Sequence, residues 1–319
     1  MKIFSIGIPT YNRKKIIEKN VKDILLDNFL QNNKIDLIVS DNKSWDGTYS
    51  LLKKIKKIHR NNENFIIQQN RKNLGVFKNI FKIFKSCNSK YLMITSDEEF
   101  ISKTNIPKLI DFLEDYNPSF VSTQFYLNKR LYRGSKSIKK IPMWEWDISS
   151  FFTSGLVFNV KSVNLIISKY YNLLTKKNLY YVQSLIVAEL MLMHPNTQWY
   201  FNFFLVEKKF HKRTEVSAFD DHQYWSLVGR YNSFLAIDSY FKARYLNNKS
   251  NKLIKEFIKK NRRSLYRRLV ESLGITNPEM LIDFKYGVAN VEFSPFTRIF
   301  YNIMIMRYKI KKFINKFKK

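Results

Sequence analysis

The sequence is poor in residues that mark several common functional classes. It has one cysteine, Cys87, which excludes an internal disulfide framework and any cysteine-based zinc site and fits a reducing compartment. It has only 8 glycines, and neither glycine-rich phosphate loop, G-x-G-x-x-G or G-x-x-x-x-G-K-[ST], occurs. Their absence argues against a dinucleotide-dependent enzyme and a P-loop NTPase. No apolar run approaches the length of a membrane span, and the run at the start is too short for a signal peptide.

Negative charge is scarce as well. Lys and Arg number 56 against 26 Asp and Glu, which gives a formal net charge of +30. This excess is compatible with a nucleic acid, an anionic membrane surface or an anionic substrate. A chain rich in Lys, Asn, Ile and Phe also gains positive charge without any partner, so the distribution of charge is more informative. No helix-turn-helix, zinc or RNA-binding signature accompanies the charge, and we expect no nucleic-acid partner.

Short apolar runs alternate with amphipathic segments through the first hundred residues. Strands are predicted over 2–8, 36–40, 65–69 and 91–95, and helices over 14–30, 48–59 and 76–85. This order predicts an α/β fold with a doubly wound, mostly parallel sheet flanked by helices.

Three consecutive acids, Asp97, Glu98 and Glu99, follow the fourth predicted strand. Carboxylates at such a position repel one another unless a cation or a hydroxyl group lies among them. In an open α/β sheet, this end of the strands is also where ligands bind. Asp97 and Glu99 could share a Mg²⁺ or Mn²⁺ ion that also binds a diphosphate. The alternative is a solvated turn before a helix.

Other charged residues also follow predicted strands, namely Arg13, Asp41 and Lys72. A parallel sheet would bring them to the same edge as Asp97. Cations beside acids are what a nucleoside diphosphate with its metal requires. The alternative is that strand ends are polar because loops are exposed.

Four short motifs occur in order along this half of the chain, at Ile6–Arg13, Val39–Thr48, Asn70–Gly75 and Thr95–Glu99. Together they resemble family 2 glycosyltransferases of the GT-A fold, over roughly residues 1–125. Within that family, Asp41-Asn42 and Asn73-Leu74-Gly75 followed by Asn79 are most similar to abequosyltransferase-like bacterial polysaccharide enzymes.

The resemblance implies roles for particular residues. Pro9, Tyr11 and Arg13 are expected to line the nucleotide pocket, Asp41 to bind the nucleobase, and Lys72, Gly75 and Asn79 to lie near the base or ribose. Asp97 is expected to bind the ribose or a metal-bound water, and Glu99 the Mn²⁺ or Mg²⁺ ion. The family usually has Asp where this chain has Glu99, so the resemblance implies a shifted metal and a weaker dependence on it.

The reaction implied is transfer of a sugar, with inversion, from a nucleotide-sugar donor to a lipid-linked, lipopolysaccharide or capsule glycan. The family's acidic base, often in a Glu-Asp pair, has no clear counterpart in this sequence. Asp147 and Glu189 are the candidates for the base, and Tyr181 or Gln183, neither of them acidic, could occupy its position instead.

Trp144 and Trp146 could stack on an acceptor sugar, or could instead be core residues that anchor a loop. Glu189 could equally be the polar face of a buried helix, and a metal site at Asp220-Asp221-His222 is less favoured than a solvated loop. A nucleotide-sugar-binding or scaffold protein that has lost its activity is the main alternative function.

We predict a GT-A domain over residues 1–234, with a nucleotide-sugar half at 1–125 and an acceptor half at 126–234. Residues 235–319 form a predicted basic helical extension. In its last segment, 296–319, apolar residues recur every three or four positions among Lys and Arg, and no acid follows Glu292. This pattern predicts an amphipathic helix on an anionic membrane, and thus a peripheral protein on the inner face of the cell membrane. The alternative is a helix that packs on the catalytic domain.

Overall fold

The structure is a computed structural model that describes residues 2–26, 35–59, 63–127, 130–150, 153–175 and 182–208, with Tyr240, Phe241, Ala243 and Met306. Contacts divide the chain into two compact units, residues 1–214 and 215–319. Apart from those four residues, the predicted basic extension and its amphipathic tail lie outside the described residues. The domain boundary after residue 234 therefore stays a prediction.

The first half of the chain alternates strands and helices as predicted. In order they are β1 (Phe4–Thr10), α1 (Lys14–Leu25), β2 (Asp36–Asp41), α2 (Thr48–Ile58), β3 (Phe65–Gln69), α3 (Val76–Ser86) and β4 (Tyr91–Ile94). The strands lie in the order β3-β2-β1-β4, and each neighbouring pair is parallel. β1 runs two residues past its predicted end because its ladder with β2 continues to the Thr10–Asp41 pair.

The second half adds parallel and antiparallel strands and completes the sheet. Its elements are β5 (Glu99–Ile101), α4 (Ile106–Tyr116), β6 (Phe120–Leu127), β7 (Arg130–Arg133), β8 (Lys139–Lys140), a 3-10 helix (Met143–Glu145), α5 (Trp146–Ser149), β9 (Leu156–Asn159), α6 (Val160–Leu174), α7 (Val182–Met193), β10 (Gln198–Phe204) and β11 (Val206–Lys208). Beyond β4 the order is β9-β6-β10-β8, with β7 on β6. β9 is antiparallel to both neighbours, whereas β6 and β10 are parallel. β5 and β11 form a separate two-stranded sheet. The predicted mostly parallel sheet flanked by helices is confirmed.

The core fixes the position of the strand ends. Phe4, Ile6 and Ile8 of β1 are fully buried and belong to one apolar cluster with residues of α1 and β2. A side chain at Gly7 would lie 2.6 Å from the Cγ2 atom of Ile83, so this glycine lets α3 pack directly on β1. Buried on both faces, β1 is the central strand that a parallel sheet requires. Among the described residues, no helix is long and apolar enough to cross a membrane.

Candidate active site

The carboxyl ends of β1, β2, β3 and β4 meet at one edge of the sheet, and the chain segments beyond them remain hydrogen-bonded. The backbone N–H of Asn42 donates to the Thr10 carbonyl at 2.9 Å, and that of Asn70 donates to the Asp41 carbonyl at 2.9 Å. On the other side of β1, the N–H of Thr95 donates to the Gly7 carbonyl at 3.0 Å. The segments that carry Arg13, Asp41, Lys72 and Asp97 therefore leave the sheet side by side, as the strand order predicted.

The loops after β1 and β2 are tied together by side chains. Asn12 has a positive φ of 53°, its N–H donates to Ser44 Oγ at 2.8 Å, and its Oδ1 accepts from the Trp45 N–H at 3.0 Å. The N–H of Arg13 donates to Thr48 Oγ1 at 3.3 Å. These bonds hold the exposed Tyr11 and Arg13 at the sheet edge without using their own side-chain polar groups.

Asp41, the predicted nucleobase ligand, is fully buried in the structure. Its carboxylate accepts hydrogen bonds from the Ser44 N–H, the Ser44 hydroxyl and Gln69 Nε2, the last at 2.8 Å. Gln69 is exposed at the end of β3. Gln69, whose amide donates to Asp41, is thus the exposed residue of this pair, and sequence reasoning did not single it out. The assignment of Asp41 to the base stays a prediction.

Side-chain amides build the loop after β3. Asn79 is buried at the start of α3, where its Oδ1 accepts from Ser40 Oγ at 2.6 Å and from Asn70 Nδ2 at 2.8 Å. Asn70 also donates to Asn42 Oδ1 at 3.0 Å, and Asn42 donates to Asn73 Oδ1 at 2.7 Å. Asn79 therefore braces this loop from the interior, and its expected place near the base or ribose stays a prediction.

The exposed residues of this loop are Arg71, Lys72, Asn73 and Gly75. Gly75 has φ 79° and ψ 163°, a conformation that is essentially restricted to glycine. A Cβ atom at Gly75 would meet nothing within 4 Å, so the glycine serves the backbone conformation and not close packing. Lys72 and Gly75 lie at the surface, where a ligand can reach them.

The three acids after β4 have three different sets of partners. Asp97 Oδ2 accepts from the Thr10 hydroxyl at 2.7 Å, and Glu98 Oε1 lies 3.1 Å from an Arg13 guanidinium nitrogen. Burial raises the pKa of Asp97 to about 6, against the opposing effects of the Thr10 hydrogen bond and the Arg13 charge. A cation that binds beside this buried carboxylate would stabilise its charged form.

Glu99 is only 2% exposed. Its Oε2 accepts from the Ser96 N–H at 3.2 Å and from the Thr95 hydroxyl at 3.3 Å. The carboxylate that the resemblance assigns to the metal thus bends back toward its own turn.

Arg133, the last residue of β7, is a buried and positively charged side chain next to β6. Its Nε donates to the Thr123 carbonyl at 3.0 Å, and one terminal nitrogen donates to the Ser154 carbonyl at 2.7 Å. Burial lowers the pKa of Arg133 to about 9, and the nearby Glu99 carboxylate opposes that shift. Arg133 therefore connects the turn before β9 electrostatically to the acidic turn, and sequence reasoning did not identify it.

The residues predicted for the acceptor side lie in the short helices before β9. Trp144 lies in the 3-10 helix, and Trp146 and Asp147 lie in α5. Trp146 is 1% exposed, so the structure favours the core alternative for this ring. The side chains of Trp144 and Asp147 are outside the described part, and their roles stay predictions.

Glu189 lies in the middle of α7, whose side chains from Val182 to Met191 are all buried. It is 1% exposed and lies seven residues, or about 10 Å of helix, beyond the first residue of α7. Gln183 is buried in the first turn of the same helix. The assignment of Glu189 as a base stays a prediction, and the Asp220-Asp221-His222 segment lies outside the described residues.

The acidic turn has the chemistry to contribute to a cation site, although it does not form a complete one. In the described ranges, no three His, Cys, Asp or Glu side chains are grouped so that they could hold a metal ion. Mg²⁺ is commonly held by one or two carboxylates, with substrate phosphates and water as the other ligands. Asp97 and Glu99 offer the two carboxylates that this pattern needs, and their assignment to a metal stays a prediction.

Comparison with known proteins supports this interpretation of the fold. The model of the family "Glycosyl transferase family 2" matches residues 5–177. No curated protein shows a significant match.

Among solved structures, residues 1–349 of TarS from S. aureus, in complex with UDP-GlcNAc, align at 13% identity with a TM-score of 0.56. That alignment covers 97% of this chain and 92% of the TarS fragment. The mannosyltransferase PcManGT from Pyrobaculum calidifontis, in complex with GDP-Man and Mn²⁺, aligns at 13% identity with a TM-score of 0.52, over 98% of this chain and 87% of that one. In a second TarS structure, which contains a longer chain, the alignment covers 29% of that longer chain.

At such low identity these structures establish the fold, whereas the family match extends over more than half of the chain. The chain belongs to glycosyl transferase family 2 and has the GT-A fold.

Proposed function

We propose that the protein transfers a sugar from a nucleotide-sugar donor to a glycan acceptor, with help from a divalent metal. The observation that carries this proposal is the pairing of Asp97 with Thr10 and of Glu98 with Arg13, at the carboxyl edge of a parallel sheet. It places a buried carboxylate beside a cationic side chain where α/β folds bind ligands. The two solved relatives named above hold UDP-GlcNAc and GDP-Man, which are donors of this class.

In the proposed donor complex, the nucleotide lies across the ends of β1, β2 and β3. Pro9, Tyr11 and Arg13 line one side of it, and Arg13 offers a guanidinium to the diphosphate. Lys72 and Gly75 contribute from the loop after β3. Asp41 acts on the base with the Gln69 amide that it orients, and Asn79 holds the loop in place.

The metal in this proposal is Mn²⁺ or Mg²⁺, held by Asp97 and Glu99 together with the donor diphosphate. When bound, such an ion neutralises the charge that develops on the leaving diphosphate. The hydrogen bond from Thr10 keeps the Asp97 carboxylate oriented toward the edge of the sheet. Glu99 has to exchange its bonds to Thr95 and Ser96 for the cation, which is the structural basis for expecting a weaker metal dependence.

The transfer step requires a base that removes the proton from the acceptor hydroxyl, with inversion at the sugar carbon. Asp147 and Glu189 remain the candidates for that base.

The proposed acceptor is a lipid-linked, lipopolysaccharide or capsule glycan of a bacterium, approached from the cytoplasmic face of the membrane. Trp144 is the remaining candidate for a stacking contact with that acceptor, and residues 296–319 are the candidate membrane contact.

Thermal unfolding in the presence of nucleotides tests the proposal directly. We expect one class of nucleoside diphosphate or nucleotide-sugar to raise Tm, and Mn²⁺ or Mg²⁺ to increase that effect. Asp97→Ala should abolish the metal-dependent part of the stabilisation and the turnover of nucleotide-sugar. Glu18→Ala is the matched control, because Glu18 is a partly exposed acid of α1 that pairs with Lys22 at 2.7 Å, outside the acidic turn.

Full activity in Asp97→Ala would overturn the assignment of this site. Nucleotide binding without turnover on a broad panel of acceptors would favour the alternative of an inactive nucleotide-sugar-binding or scaffold protein. The absence of any nucleotide binding would contradict the donor class itself.

A further inference from the structure

Asn20 is a polar residue on the apolar face of α1. The other buried side chains of this helix are Ile17, Val21, Ile24 and Leu25, and Asn20 is only 1% exposed among them. An amide placed in such surroundings destabilises the fold unless it makes specific hydrogen bonds. The bonds that Asn20 makes therefore indicate what it does.

All of those bonds go to the acidic turn. Asn20 Nδ2 lies 2.7 Å from the Glu99 carbonyl, 3.3 Å from the Asp97 carbonyl and 3.5 Å from the Ser96 carbonyl. The amide gathers three backbone oxygens of one turn around a single donor group. Its own Oδ1 is buried and has no hydrogen-bond partner within the described residues, so the side chain is oriented by the turn alone.

This contact holds the backbone of the turn, whereas the carboxylates of the turn have other partners. Asp97 points to Thr10 and Glu98 to Arg13, whereas the carbonyls of Ser96, Asp97 and Glu99 converge on α1. Carbonyl oxygens that are close together repel one another, and the amide donor of Asn20 offsets part of that repulsion. Within the turn itself, the Glu99 N–H donates to the Ser96 carbonyl at a long 3.3 Å. Asn20 is thus a principal restraint on the backbone that carries the acids.

We propose that Asn20 is a positioning residue of the active site: from α1 it fixes the backbone of residues 96–99, so that Asp97 and Glu99 are set to receive a divalent cation and a diphosphate. Asn20 is too deeply buried to touch the substrate. The inference rests on the proposed function, because it assigns Asn20 to the metal and diphosphate site described there.

The decisive measurement is the Mn²⁺ concentration that gives half-maximal stabilisation by a nucleoside diphosphate, together with kcat and KM for the donor. Asn20→Asp is nearly isosteric but turns an oxygen toward the three carbonyls, and we expect it to raise the half-maximal Mn²⁺ concentration about tenfold or more. Asn20→Ala removes the donor without adding repulsion and should have a smaller effect in the same direction. Both variants should raise KM for the metal-bound donor.

Asn164→Ala is the matched control. Asn164 lies in α6 and also donates from Nδ2 to a backbone carbonyl, that of Phe84, at 3.2 Å, and its Oδ1 is also buried without a partner among the described residues. Phe84 belongs to the last turn of α3, which leads into the start of β4 and away from the acidic edge. This variant should lose a similar hydrogen bond and leave the Mn²⁺ dependence unchanged.

The outcomes separate the inference from the proposed function. If the wild-type protein shows no metal-dependent nucleotide binding, the proposed function fails. If the wild-type protein shows it and the Asn20 variants match Asn164→Ala, the positioning role is overturned. Should Asn20→Asp fail to fold, Asn20→Ser keeps one hydroxyl donor on a shorter side chain, and an Mn²⁺ dependence intermediate between wild type and Asn20→Ala is expected for it.

Discussion

Buried amides hold the loops at the carboxyl edge of the sheet in their conformation. Asn79 uses its side chain to connect β2, the loop after β3 and α3 through Ser40 and Asn70. Asn20 does the same for the acidic turn. The hydrogen bonds of these two side chains set the conformation of the loops at this edge. A hydrogen bond of this kind is effective because the buried surroundings offer its partners no water as a substitute.

At the level of one residue, the conformation of Gly75 makes a specific prediction. Gly75→Ala places a Cβ in open space but forces alanine into a backbone region that costs about 1–3 kcal/mol. We expect the loop to leave this conformation, so that KM for the donor rises while Tm falls only slightly. Steady-state kinetics with the preferred nucleotide-sugar measures the effect.

Gly47→Asn is the control for this prediction. Gly47 also has a positive φ, 83°, but its left-handed conformation is one that asparagine tolerates. A rise in KM in Gly47→Asn as large as in Gly75→Ala would mean that the effect is not specific to the loop after β3.

At the level of the element, α7 differs from the other helices around the sheet because its side chains are buried along nearly its whole length. Ser184 accepts a hydrogen bond from Ser150 Oγ at 2.8 Å, which attaches the first turn of α7 to the segment after α5. A rigid, buried helix is a precise support for a catalytic group, provided that the group lies at an end open to the acceptor. Glu189 lies in the middle of the long buried helix α7, away from its ends. Asp147 lies in the short helix α5.

This arrangement leads to a test of the two base candidates. Loss of a catalytic base lowers kcat about 100- to 10,000-fold. We expect that effect in Asp147→Asn, with KM for the donor little changed, and we expect Glu189→Gln to alter Tm more than kcat because Glu189 is buried. The reverse pattern would identify Glu189 as the base, and two fully active variants would exclude both residues.

At the level of the whole molecule, the uneven charge of the sequence is the main unexplained property. Residues 296–319 contain eight Lys or Arg and no acid, and each basic residue near an anionic membrane surface contributes about 1 kcal/mol of attraction. Removal of 296–319 should abolish sedimentation with vesicles that contain phosphatidylglycerol and leave nucleotide stabilisation unchanged.

Vesicles of phosphatidylcholine alone are the control for the lipid charge. Phe313→Ser with Phe317→Ser keeps the charge of the tail and reduces its apolar face, so this variant should bind anionic vesicles more weakly and in a more salt-sensitive way. Undiminished vesicle binding by the truncated protein would instead place the membrane contact elsewhere or remove it.

The sequence predicted the parts of this protein that depend on local pattern. Strand and helix order, the parallel half of the sheet and the family could all be derived from residues 1–125, because hydrophobic periodicity and short motifs lie close together along the chain. The second half was harder, since its antiparallel β9 and its short elements carry weak periodic signals. The sequence predicted the site as a set of residues at strand ends, and the structure shows that these ends lie side by side.

Only the tertiary structure decided which side chains point outward and which brace the interior. Asn20 meets the Glu99 carbonyl across 79 positions of sequence, and Arg133 faces the acidic turn from another strand. Asp41, Asn79 and Trp146 are buried because of neighbours that are distant along the chain. The sequence by itself determined which chemical groups stand at the edge of the sheet. Their burial and hydrogen-bond partners depend on contacts between distant segments, which exist only once the chain has folded.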